Sequence, residues 1–146
     1  MGRILRTTDS LSLAVLRLAL GVVMFLHGTQ KVLGWFGGSG LSASLSSFEQ
    51  MGIPTVFAFL AIAAEFLGGL GLIVGLLSRI ASFGILCEMA VAVLMFHGRN
   101  GLFMNWSGQQ KGEGFEYHVL AMAISVAVLI GGGGAFSVDR ALSHSK

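Results

Sequence analysis

His27, Gln30 and Lys31 stand at i, i+3 and i+4, so a helix would carry imidazole, amide and ammonium on one face. Glu65 and Glu88 each sit inside an apolar run, where a carboxylate must find a partner or a proton. His97 precedes Asn100 by three residues, and Glu116, Tyr117 and His118 are consecutive. These side chains hold protons and exchange hydrogen bonds, which is the equipment of proton transfer. Cys87 is the only cysteine, which excludes an intrachain disulfide, a CxxC redox pair and a thiolate zinc site. No spacing forms a specific metal-ligand motif, so no metal is expected; a haem held by two of the histidines is the weaker alternative.

The elements that must position these residues follow from hydropathy. Of 146 residues, 54% are hydrophobic and 11% charged, with a mean hydropathy of +0.82. A soluble domain carries about 25% charged residues, so lipid must solvate most of this exterior. The net charge of +2 is scattered, which excludes a nucleic-acid surface. A bilayer core of about 30 Å takes about 20 helical residues. Four runs qualify, at residues 11–33, 56–77, 80–96 and 117–136, the third short and extensible by a turn at either end. Lipid offers no partner to backbone polar groups, so each run is helical. The chain reads as all-α: one integral membrane domain over residues 1–146, a four-helix bundle.

Arg3 and Arg6 before an apolar run imitate a signal peptide, but Arg17 interrupts the run and no cleavage site follows; a retained first span is expected. Arg6 also stands where N-myristoylation wants Ser or Thr. Ser78 and Arg79 alone separate the second and third runs, which predicts a tight hairpin. The first long loop holds Leu41, Leu45, Phe48 and Met51 on one helical face, closed by Gly52 and Pro54. That predicts a short interfacial helix anchored by Trp35 and Phe36, with Phe103 and Trp106 of the third loop in the same belt. Arg3, Arg6, Arg79, Arg140 and Lys146 against Lys31, Arg99 and Lys111 favour cytoplasmic termini.

Odd runs end, and even runs begin, on the same face. Topology therefore gathers His27, Gln30, Lys31, His97, Asn100, Glu116, Tyr117 and His118 near the outer leaflet. His27 lies about 6 Å deeper than Lys31, and Glu65 about 13 Å deep in its own span. Arg17, about 9 Å from the cytoplasmic edge, is expected to snorkel or pair with Glu88. Glu65 is expected to pair with His27 or Lys31, or to keep a proton; a structural ion pair is the plain alternative. Taken singly, His97 and His118 read as helix-end residues bonding headgroups or loop carbonyls. As a set, the groups suit a quinone headgroup, which needs hydrogen bonds to two carbonyls and a proton source or sink.

Gly71 and Gly75 form a GxxxG pair for helix packing. Gly131 to Gly134 follow no strand, so they read as a loose exit rather than a phosphate loop. Phe25-Leu26-His27-Gly28 and Met95-Phe96-His97-Gly98 echo one another, which a duplicated hairpin would explain.

Several stretches carry a resemblance: Arg17-Leu18 through His27-Gly28-Thr29-Gln30-Lys31, then Gly34-Trp35-Phe36-Gly37-Gly38-Ser39-Gly40 and Gly52-Ile53-Pro54. Ala64-Glu65-Phe66-Leu67-Gly68-Gly69, Gly75-Leu76-Leu77-Ser78-Arg79, His97 with Asn100-Gly101-Leu102-Phe103, and Glu116-Tyr117 complete it. Over about residues 13 to 140 the chain resembles DoxX-type membrane proteins. The resemblance implies a four-helix bacterial inner-membrane protein. It also implies His27, Gln30, Lys31, Glu65, Arg79, His97, Asn100 and Glu116 as family positions, with His118 outside the pattern. The family takes its name from a subunit of an archaeal thiosulfate:quinone oxidoreductase, and relatives are linked to membrane oxidoreductase complexes and oxidative-stress defence.

The expectation is a membrane subunit of a quinone-linked oxidoreductase system. Glu65 and His27 would relay protons, and Gln30, Lys31, His97, Asn100 and Glu116 would form the quinone pocket. No covalently bound cofactor is expected. Partners would be the bilayer and other membrane subunits, with homo-oligomers open and nucleic acid excluded. A non-catalytic accessory subunit and a small proton-coupled transporter using Glu65 and Glu88 are the alternatives.

Overall fold

The computed structural model describes residues 2–144, with side chains from Ile4 to Ser143. Lys146 and the side chain of Arg3, both counted in the charge asymmetry, lie outside the described residues. A single turn at Gly2–Leu5 precedes six helices: α1 (Leu11–Leu33), α2 (Leu41–Gln50), α3 (Thr55–Val74), α4 (Ser78–Asn100), α5 (Glu116–Gly131) and α6 (Val138–His144). The described elements are all helical, and α1, α3 and α4 are long and apolar enough to cross a membrane. α5 is a shorter apolar helix, continued by the buried chain from Gly132 to Ala135. This is the helical membrane bundle that the composition demands, with α2 lying across one end.

The boundaries have local causes. Ser10 caps α1 by accepting the Leu13 N–H at 3.3 Å, and Gly34 ends it at φ 72°. α3 stops at Val74 because Gly75 takes φ 73°, so the hairpin turns at Gly75–Leu77, while Ser78 and Arg79 belong to α4. Asp139 caps α4 from the other end of the sequence, accepting the N–H groups of Leu77 at 2.7 Å and Ser78 at 2.9 Å.

α1 buries Ala14, Arg17, Gly21, Met24 and Gly28, spaced alternately three and four apart, against α3 and α5. Leu20, Met24, Leu72, Ile85, Met89, Ala121 and Val128 fill the space between the helices. Gly28 and Gly69 set the separation of α1 from α3. A Cβ on Gly28 would lie 2.5 Å from Phe66 Cα, and one on Gly69 would lie 2.5 Å from Phe25 N. Backbone contact at Gly28 carries Lys31, almost one turn on, against Glu65, the neighbour of Phe66. The expected GxxxG pair has no such part: Gly75 is the hairpin turn, packed on Ser137 and Arg17.

At the end holding the Gly2–Leu5 turn and α6, Arg17 is 1% exposed. Its Nε donates to the Gly133 carbonyl at 2.7 Å, and its Nη atoms reach the carbonyls of Leu72, Ile73, Ala135 and Phe136. It does not pair with Glu88. The last carbonyls of α3 lack intrahelical donors, and a guanidinium has five N–H groups to offer, so backbone replaces the expected carboxylate. Nor are Gly131 to Gly134 a loose exit. Gly132, Gly133 and Gly134 are buried, and a Cβ on Gly133 would lie 2.7 Å from Ser78 Oγ.

Candidate functional site

The opposite, distal end is built on two irregular turns. α3 widens to π-helical geometry at Ala64–Gly68, and α4 does so at Val93–His97. Such a turn carries an extra residue and re-aims the side chains around it. The first turn contains Glu65 and the second ends on His97.

Glu65 is 5% exposed and accepts from Lys31 Nζ on both oxygens, at 2.7 and 2.6 Å. Of the two partners the sequence offered, Lys31 is the one engaged; His27 is exposed, its ring 6.3 Å from that of Tyr117. Glu88 on α4 lines one cleft with Glu65 and Lys31 and lies within their electrostatic reach. Its Oε2 is sealed from solvent and has no hydrogen-bond partner in the protein. The two carboxyls meet because they stand almost equally far on either side of the Gly75–Leu77 turn, at one depth.

These groups head a cleft of about 1170 Å³ between α3 and α4. Phe48 and Met51, at the end of α2, close it from above, and Met24 and Met89 form part of its inner wall. Phe57, Leu60, Phe83 and Val91 line it while remaining exposed, so it opens sideways towards the surroundings of the bundle. α5 contributes Tyr117 and His118. His118 is 6% exposed, yet its Nδ1, like the Tyr117 hydroxyl, has no partner in the protein. His97 also lines the cleft, its ring 4.2 Å from that of His118. The Glu113 carbonyl lies 2.9 Å from His97 Nδ1; a carbonyl only accepts, so a neutral His97 keeps Nε2 as its free acceptor.

Lys31, Glu65, His27 and His97 are thus brought together around one cleft, joined by Glu88, Tyr117 and His118. Gln30, Asn100 and Glu116 are placed elsewhere. Gln30 donates to the Phe36 carbonyl at 3.3 Å and borders a smaller recess beside Val23 and Leu26. Asn100 donates to the Glu113 carbonyl at 2.9 Å. Glu116 accepts from Met104 N at 2.9 Å and Trp106 Nε1 at 3.1 Å. All three brace loops. Both His-Gly segments reach the cleft, but one is α-helical and the other passes from π to 3-10 geometry, so the echo is one of place rather than conformation. Ser44 fastens the roof, donating to the Lys31 carbonyl at 3.2 Å.

The sequence matches the DoxX family over residues 12–98. This chain belongs to the DoxX family. The match reaches from α1 to the end of the second π turn, and so includes Lys31, Glu65, Glu88 and His97. A Bacillus subtilis (strain 168) protein named "Putative oxidoreductase CatD" is 30% identical over 66 residues, 45% of this chain and 45% of its own length. The chain therefore matches less than half of that relative. A Mycobacterium tuberculosis (strain ATCC 25618 / H37Rv) protein named "Uncharacterized membrane protein Rv3486" is 29% identical over 150 residues, 97% of this chain and 87% of its own. No solved structure matches the chain.

Proposed function

We propose that this DoxX protein is a quinone-binding subunit of a membrane oxidoreductase system, taking the quinone ring into the distal cleft. The observation that carries the reading is the set of three unpartnered polar atoms, Glu88 Oε2, Tyr117 Oη and His118 Nδ1, around one apolar cleft. A buried polar group left without a partner costs about 1–3 kcal/mol, a cost a ligand with two polar oxygens would remove. Ligand sites commonly measure about 300–1,000 Å³, so this cleft has room for a ring and the start of an isoprenoid tail. The sideways opening suits a ligand that arrives through lipid.

In this reading Tyr117 and His118 hold the ring by its oxygens. Lys31 and Glu65 form the fixed ion pair at the head of the cleft. His27, exposed at the rim, exchanges protons with the exterior. A bound quinone accepts two electrons, from a redox centre on a partner subunit, and two protons, which this chain supplies. The oxidoreductase setting rests on the name of the Bacillus relative; the bacterial cytoplasmic membrane, cytoplasmic termini and an outward-facing cleft rest on the charge asymmetry and on the family.

The test is purification in mild detergent, solvent extraction and titration with a short-chain quinone. Quinone should accompany the wild-type protein, and Glu65→Gln and His27→Ala should weaken binding or coupled electron transfer. Unchanged values in both variants, or a wild-type protein that binds no quinone, would sink the reading.

A further inference from the structure

Resting on the quinone reading, we infer that Glu65 and Glu88 form a carboxyl dyad that holds one proton against Lys31, and that Glu88 Oε2 presents this proton to the ligand oxygen. Lys31 gives its ammonium to both oxygens of Glu65, so Glu88 receives no cation of its own. Arg17, a fully buried cation, is engaged by carbonyls at the opposite end of the bundle. The charged and titratable groups nearest the dyad are Lys31 from α1 and Tyr117 from α5, with His27, Cys87, His97, Glu113 and His118 around the same cleft. Two carboxylates beside one ammonium leave a net negative charge among apolar side chains, which costs several kcal/mol. One proton brings the sum to zero.

That proton needs somewhere to go when a ligand is present. A carboxyl carries an O–H that must find an acceptor. Within the dyad Glu65 can accept it, but Glu88 Oε2 itself has no partner in the protein. Independently of the dyad, His118 lines the same cleft with a 6% exposed side chain whose Nδ1 has no partner in the protein. An acidic dyad on one side and an imidazole on another leave places for two oxygens of one ring. The sum stays at zero while the proton remains on the dyad and is donated to the ligand oxygen as a hydrogen bond, with Lys31 paired to Glu65.

Infrared spectroscopy of the purified full-length protein at neutral pH tests the inference without requiring turnover. The wild-type protein should show the carbonyl stretch of one protonated carboxyl. Glu88→Gln should abolish it. Glu65→Gln should abolish it too, because one carboxylate then balances Lys31 and no proton is needed. Lys31→Met should keep or strengthen it. Adding a short-chain quinone should move the wild-type band. A missing wild-type band, or a band surviving Glu88→Gln, overturns the dyad. Quinone that binds without moving the band overturns the Glu88 contact and leaves the quinone reading standing. Failure of the wild-type protein to bind quinone overturns the quinone reading and the ligand contact together. Size-exclusion profiles and thermal unfolding in detergent verify that each variant is folded.

Discussion

Arg17 and Glu65 are both buried charges held between α1 and α3, yet their surroundings differ. Around Arg17, five backbone carbonyls face one guanidinium, and Asp139 close by is 1% exposed and accepts two backbone N–H groups. Around Glu65, the lysine is answered, but Glu88, Tyr117 and His118 each keep a polar atom without a partner. Ser78 Oγ, Ser82 Oγ and Arg140 Nε are unpartnered too, but none of the three lines the cleft. A brace spends its hydrogen bonds inside the protein; a site keeps some back for its ligand. The terminal end reads as the first and the distal cleft as the second.

Breaking the brace should have the largest effect. Arg17→Met leaves carbonyls without donors and should cost about 3–5 kcal/mol, seen as a lowered thermal unfolding midpoint in detergent. Gly28→Leu comes next. A side chain there meets the Phe66 backbone, and overpacking costs about 1–3 kcal/mol. Because the same contact brings Lys31 to Glu65, quinone affinity should fall about tenfold or more, equivalent to about 1.4 kcal/mol.

Tyr117→Phe sharpens the contrast by separating stability from binding. It removes a buried hydroxyl that has no partner, so the unfolding midpoint should hold or rise by about 1 kcal/mol of stability, while quinone affinity falls several-fold. Asn100→Ala should do the least. It removes one loop hydrogen bond, worth about 1 kcal/mol, and should leave quinone affinity unchanged.

Apolar run length made the spans legible, and the alternation of odd and even spans made the gathering of His27, Lys31, Glu65 and His97 at one end legible. The Glu65–Glu88 meeting was legible in principle from their nearly equal distance to the hairpin turn, but pairing by charge sign directed Glu88 to Arg17. What decided otherwise was backbone: helix-end carbonyls are strong acceptors that carry no mark in the sequence. Asp139 went unnoticed for the same reason, since its partners are N–H groups 61 and 62 residues away. The π turns at Glu65 and His97 have no propensity signature. Gln30 and Glu116 share a face or an end with the site residues, and only the fold of the loops takes them out of it.

Cys87 gives the most direct measurement. It is the single cysteine, it is exposed, and it lines the cleft. Alkylation by a membrane-permeant maleimide should slow several-fold when a short-chain quinone is added to the wild-type protein. The same addition should do much less in Tyr117→Phe, where the ring has lost a hydrogen bond. An alkylation rate that quinone leaves unchanged at saturating concentration would contradict a quinone site in this cleft.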